Sequence, residues 1–214
     1  IPGQLQDAWK AQLETALTLQ PEHISAYSLT IEEKTVFGNW NRKGKIRPAD
    51  ENEAALNFIA LMEVMAQHNY EHYEISNFCR PGFYSRHNSS YWKQTNYLGV
   101  GPSAHSYNGE SRQANVSNNS RYQKAIESGT LPAEKELLTR ENKINEYIFT
   151  TLRTMWGCDV SYLKNTFDYD LVTHTLLPKW LEEGLLEKRG ERIFLTRKGK
   201  LLADQISSDL FISE

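Results

Sequence analysis

Residues 23–31 read His-Ile-Ser-Ala-Tyr-Ser-Leu-Thr-Ile, and residues 70–75 read Tyr-Glu-His-Tyr-Glu-Ile. The first run is apolar on both faces, as a strand inside an α/β layer should be. The second is a short strand. Between them, Asp50 and Glu53 have the spacing of an N-terminal helix cap. Ala55, Phe58, Ile59, Met62 and Met65 then fall on one helical face, and Asn69 is a left-handed stop. Upstream, Leu5, Trp9, Leu13, Ala16 and Leu17 have helical spacing within 4–19, and Pro21 ends that helix. Residues 32–49 read as a loop with a basic knot at Arg42, Lys43, Lys45 and Arg47. The order helix, strand, loop, helix, strand predicts a parallel α/β sheet.

Downstream the character changes. Residues 76–119 are rich in Asn, Ser, Gly, Tyr and His and poor in aliphatic side chains. So long a stretch without periodicity is either functional or disordered. Phe78, Phe83, Tyr84, Tyr91, Trp92, Tyr97 and Tyr107 argue for order. A second unit begins near Pro132. Thr139 caps a helix with the stripe Ile144, Tyr147, Ile148, Thr151, Leu152 and Met155, ending at Gly157. A short helix over 159–167 turns Leu163 and Phe167 inward. Another spans 170–183, a hairpin over 185–196 turns at Arg189-Gly190, and a last helix covers 199–206. Three helices, a hairpin and a helix describe a winged-helix-like α+β domain. The expected domains are therefore 1–130 and 131–214.

Composition narrows the function classes. The 214 residues carry 24 Lys and Arg against 27 Asp and Glu, a net charge of -3. No global basic field draws the chain to nucleic acid or an anionic membrane. No apolar run approaches the ~20 residues of a membrane span. Two cysteines, Cys79 and Cys158, cannot supply a four-Cys zinc site or a three-Cys iron–sulfur cluster. Sparse cysteine fits a reducing, cytoplasmic setting.

Three constellations can carry chemistry. In Arg86-His87-Asn88-Ser89-Ser90-Tyr91-Trp92, an imidazole can ligate a porphyrin iron. Tyr91 and Trp92 can pack on a macrocycle, and Arg86 can pair with a propionate. The plainer reading is a loop histidine beside packed aromatics. In Gly99-Val100-Gly101-Pro102-Ser103, two glycines let backbone N–H groups approach an anion, although a tight structural turn is the favoured reading. Third, Lys188, Arg189, Arg192, Arg197, Lys198 and Lys200 form a basic wing. Residues 131–214 as a whole hold 12 Lys and Arg against 14 Asp and Glu, so a solvated hairpin face is favoured over a nucleic-acid module.

Taken in order, Pro2-Gly3-Gln4, His23 to Glu32, Tyr73-Glu74-Ile75-Ser76-Asn77-Phe78, Arg80-Pro81-Gly82, His87-Asn88-Ser89-Ser90-Tyr91-Trp92 and Tyr97 to Ser106 form a familiar series. The chain closely resembles the oxygen-independent coproporphyrinogen III oxidase-like family of radical S-adenosylmethionine proteins, and within it the heme-chaperone branch. The resemblance implies the C-terminal part of a partial (β/α)6 TIM-like barrel followed by the winged-helix-like domain. It further implies a full-length protein that uses S-adenosylmethionine, a [4Fe-4S] cluster and heme. The family's CxxxCxxC motif is missing from these residues. The opening Ile1-Pro2-Gly3, with no initiator Met and no signal-peptide pattern, is accordingly read as the start of a piece of a longer polypeptide. A processed mature chain is the alternative. By itself the piece is expected to be inactive and to carry no cofactor.

Carried over position by position, the resemblance implies that Gln4, Ser25, Tyr27, Phe78 and Cys79 line the S-adenosylmethionine cleft. It implies that His87 ligates heme iron, with Arg86, Tyr91 and Trp92 beside it, and that Gly99, Gly101 and Ser103 shape the mouth of the site. The implied partners are heme or porphyrin and an acceptor hemoprotein, with no membrane span and no nucleic acid. An open barrel edge would invite self-association. The competing functions are a coproporphyrinogen III oxidase that decarboxylates its substrate and, from the basic wing, a nucleic-acid-binding module.

Overall fold

The computed structural model describes residues 1–213. Helix α1 (Gln6–Thr18) leads through Pro21 into β1 (His23–Ser25). Thr35 caps a short helix, α2 (Val36–Arg42), inside the segment expected to be a loop; its Oγ1 accepts from the Gly38 N–H at 3.0 Å. Helix α3 (Glu51–Gln67) starts where expected, with Asp50 accepting from the N–H groups of Asn52 and Glu53 at 2.9 and 3.2 Å. It stops at Asn69, whose φ of 63° is left-handed. Strands β2 (Glu71–Glu74) and β3 (Asn77–Cys79) follow.

The sheet order β1-β3-β2 differs from the parallel neighbours predicted. The chain reverses at Ile75-Ser76, so β3 pairs antiparallel with β2, and the free edge of β3 takes β1, also antiparallel. Strand β1 is also shorter than residues 23–31. Its only partner, β3, ends at Asn77, and after the Ala26 N–H bonds the Ser76 carbonyl at 2.9 Å the chain leaves the sheet. Tyr27 and Leu29 are then exposed. Leu13 and Leu17 of α1, Leu61 and Met65 of α3, and Phe78 of β3 make the core.

Contacts separate residues 1–85 from residues 86 onward as two units. The second begins with α4 (Arg86–Trp92), then β4 (His105–Tyr107), β5 (Ser111–Asn115), α5 (Asn119–Glu127) and β6 (Ala133–Leu137). These strands form an antiparallel sheet in the order β4-β5-β6. Ser111 to Asn115 pair residue for residue with Leu137 to Ala133. The pairing therefore spans the composition break at 130/131.

The remainder is winged-helix-like. Helix α6 (Arg140–Leu152) has a full capping box, Thr139 with Asn142. It is followed by β7 (Cys158–Asp159), α7 (Val160–Phe167), α8 (Leu177–Glu182), the hairpin β8 (Leu186–Arg189) and β9 (Arg192–Leu195), and α9 (Ala203–Asp209). The single helix expected over 170–183 is a 3-10 turn, Leu171–Thr173, followed by α8. Pro178 explains the break, because proline is accepted in a first helical turn but not in an interior. Ile144, Ile148, Leu163, Leu171, Ile193, Ile206 and Leu210 are completely buried. Met155, expected on the buried stripe, is exposed because α6 has already ended. No helix among the described residues is long and apolar enough to cross a membrane.

Candidate functional site

In residues 1–85, strand alternation sorts the sheet into two faces. Ile24 and His72 flank Phe78 in register, and the His72 ring stacks on Phe78 at 4.1 Å on the core side. The opposite face is polar: His23, Cys79 and Glu71 form one row, and Ser25, Asn77 and Glu74 the next. The Ser25 hydroxyl donates to Asn77 Oδ1 at 2.6 Å, and Asn77 Nδ2 donates to the Glu74 carboxylate. The Ser76 N–H donates to the same carboxylate at 3.0 Å. Glu74 and Asn77 are buried, so these bonds offset the cost of placing a carboxylate there. In the other row Tyr84 donates to Glu71, which lifts the Tyr84 phenol to about 12. His23 Nε2 lies 2.7 Å from the Tyr73 hydroxyl, and burial lowers the imidazole while raising the phenol.

The residues assigned to the cofactor cleft are placed unequally. Ser25 and Tyr27 are exposed, and Gln4 is half-buried with its amide donating to Gln12 at 2.7 Å. Phe78 and Cys79 are fully buried. Burial pushes the Cys79 thiol up to about 11 and the Cys158 thiol up to about 12. Both cysteines are free, one in each unit. No group of three or more His, Cys, Asp or Glu among the described residues can hold a metal ion. These residues therefore do not fit a [4Fe-4S] cluster. Sequence reading missed Asn77 and Glu74 as a buried pair. The signal was present in an acid flanked by Tyr73 and Ile75, two residues before Ser76.

In residues 86 onward, α4 places His87 and Tyr91 one turn apart on one face. His87 is exposed, and its Nε2 lies 3.2 Å from the Tyr91 hydroxyl. Their rings meet edge to face at 5.0 Å. Tyr91 meets Tyr97 edge-on at 4.8 Å, and Tyr97 stacks beside Tyr107 at 6.0 Å. Reciprocal backbone bonds of 2.9 Å fix Tyr97 opposite Tyr107. Arg86 is exposed beside His87. Trp92 does not join this row, since its ring carries the Arg153 guanidinium at 5.6 Å.

The tyrosine row leads into a cavity of about 580 Å³, within the size range of small-molecule sites. Tyr91, Tyr97, Tyr107, Phe149 and Phe211 line it, and an ion pair between Arg112 of β5 and Glu146 of α6 crosses it. Asn145 straps the C-terminal segment over α6 with two bonds to the Ile212 backbone, of 2.8 and 2.9 Å. A second cavity shares Gln94 and Tyr107 with the first.

Gly99, Gly101 and Ser103 behave as a structural turn. Their N–H groups donate to Ser106 Oγ, Tyr122 Oη and the Val116 carbonyl at 3.0, 3.2 and 3.2 Å. An anion would therefore meet three donors already in use. A Cβ on Gly99 would lie 2.1 Å from the His105 carbonyl oxygen, so glycine is required by close backbone approach. In the wing, Arg189 pairs with Glu187, and Arg192 donates to the Trp156 carbonyl and to Asp159 at 2.8 and 3.1 Å. Two of its cations are thus engaged within the protein.

Comparison with known proteins agrees with this architecture. Residues 138–202 match the HemN C-terminal domain. The heme chaperone HemW of Bacillus subtilis is 35% identical over 210 residues, which is 96% of this chain and 55% of that protein. HemW of Lactococcus lactis is 32% identical over 220 residues, 100% of this chain and 57% of that protein. The structure of coproporphyrinogen III oxidase (HemN) from Escherichia coli, described as a radical SAM enzyme, superposes with a TM-score of 0.73 at 21% identity. It covers 99% of this chain and 52% of that one, and at this identity it speaks for the fold. The chain spans about half the length of the curated relatives it matches. The chain thus carries the HemN C-terminal domain over residues 138–202, is similar along nearly all of its residues to the heme chaperones HemW, and shares the fold of HemN.

Proposed function

We propose that the intact protein is a heme chaperone: it binds heme, its cargo, and delivers it to an acceptor hemoprotein in the cytoplasm. The observation that carries this reading is the exposed His87, held against Tyr91 at the head of a row of tyrosines. An accessible imidazole nitrogen is a suitable axial ligand for iron. Arg86 supplies a cation for a propionate, and Tyr91 an aromatic face. Trp92 backs α4 from the side away from this row. Gly99, Gly101 and Ser103 hold the turn that presents Tyr97 and Tyr107. The curated relatives named as heme chaperones support the reading. The two free, buried cysteines suit a reducing compartment.

We further infer that residues 1–130 are the later part of the radical SAM barrel and residues 131–214 its winged-helix-like tail. Ser25, Tyr27 and Gln4 would then face S-adenosylmethionine from the polar side of the β1-β3-β2 sheet, with Cys79 buried on that same face and Phe78 on the core side behind it. The Glu74–Asn77 pair holds Ser25 in place. S-adenosylmethionine, when bound, supplies the sulfonium that the family's chemistry reduces. In the 214-residue chain taken alone, β1 and β2 are the edges of this sheet, and self-association through them is expected.

A coproporphyrinogen III oxidase is the second reading, supported by the fold shared with HemN. The two readings separate in one experiment. The intact protein is given coproporphyrinogen III with S-adenosylmethionine and, separately, heme with an apo-hemoprotein. Transfer of heme without decarboxylation supports the chaperone. Decarboxylation of coproporphyrinogen in successive turnovers overturns it.

A further inference from the structure

The cavity beyond the tyrosine row has the chemistry of a site for a flat, carboxylated ring system. Tyr97, Tyr107 and Phe149 line it, and its charged lining is the Arg112–Glu146 pair. Of the neutral polar lining, Asn142 serves the α6 cap, Asn145 holds the Ile212 backbone and Thr150 donates to the Glu146 carbonyl, while Gln94 adds an amide. Arg112 and Glu146 are both partly exposed. An ion pair in that setting contributes little and exchanges readily. One guanidinium nitrogen of Arg112 reaches Glu146, and a guanidinium can release one carboxylate to take another, with its fork free to engage both oxygens. In the adjoining cavity Lys143 is paired with Glu110 and Arg192 with Asp159, and Lys93 lies over the Trp156 ring at 4.9 Å.

We propose that this cavity binds the edge of a porphyrin, with the rings of Tyr97, Tyr107 and Phe149 against the macrocycle and Arg112 exchanging Glu146 for a porphyrin carboxylate. This rests on the heme reading for the identity of the ring system, but not on iron ligation. Glu146 is in this account a resident competitor, which holds Arg112 in place when the cavity is empty and returns when the carboxylate leaves.

The test uses iron-free protoporphyrin IX and its dimethyl ester with the 214-residue chain, followed by quenching of tryptophan and porphyrin fluorescence. The free acid should bind, and the ester should bind at least ~10-fold more weakly, as expected for one lost charge-assisted contact. Arg112→Gln should weaken the free acid by a similar factor. Glu146→Gln should act in the opposite direction and tighten it, which guards against a variant that merely misfolds. Absence of binding overturns the proposal. So does binding that is indifferent to esterification and to both substitutions, or weakened by Glu146→Gln. Iron-free porphyrin has no metal for His87 to ligate, so this result is separate from any failure of the His87 heme ligand.

Discussion

Two parts of the second unit use their apolar residues in opposite ways. In the winged-helix-like tail, Ile144, Ile148, Leu163, Ile193 and Ile206 are shut off from solvent, and the cations of the wing are partly neutralised by neighbours. In residues 86–115 the tyrosines are partly exposed and meet edge to face or stacked beside a cavity rather than closing into a core. The first arrangement maximises burial and holds a shape. The second leaves aromatic surface accessible, which is of use when a ligand covers it. The tail is therefore mainly a scaffold that lends Glu146 and Phe149 to the cavity, and the segment from α4 to β5 supplies its tyrosines and Arg112.

The sharpest way to break that comparison is to remove volume from each part. Ile148→Ala should cost about 2–5 kcal/mol in chemical denaturation, as buried Ile truncations do. Tyr91→Leu, on an exposed ring, should cost less than ~1 kcal/mol while altering ligand binding. Equal destabilisation by the two would show that the tyrosine row is core.

The sequence made the tail legible for a physical reason. Helical periodicity, the cap at Thr139 and a glycine at the hairpin are local signals, and local signals survive without tertiary context. Residues 86–115 were recognised as an ordered segment from their aromatics, but α4 and the β4–β5 hairpin were not seen. A seven-residue helix and strands of three and five residues offer too few positions for a period to show. The parallel sheet expected from the early helix–strand rhythm failed at one place, the reversal at Ile75-Ser76 that inserts β3 between β1 and β2. His87 and Tyr91 were both named from sequence, whereas Arg112 and Glu146 were not. They lie 34 positions apart in the chain, and only the pairing of β5 beside α6 brings them together.

A subtler contrast concerns protonation. The buried thiols should remain protonated in the folded chain well above the usual range, with Cys79 near 11 and Cys158 near 12. An unfolded cysteine ionises near 9.0, so above that pH the unfolded chain sheds protons that the folded chain retains. Stability should accordingly be unaffected by these groups below about pH 9 and decline as pH rises through about 11 to 12. Denaturation midpoints measured from pH 8 to 11, together with slow thiol labelling at pH 8, check this. Rapid native-state labelling of both cysteines would show that they are not enclosed.

The central claim is that heme is held through His87. A heme titration of the intact protein and of its His87→Ala variant, followed at the Soret band, tests it most directly. The account predicts a shifted Soret band in the parent protein that is lost, or needs at least ~10-fold more heme, in the variant. Superimposable titrations with an unchanged band would remove His87 as the ligand and contradict the account.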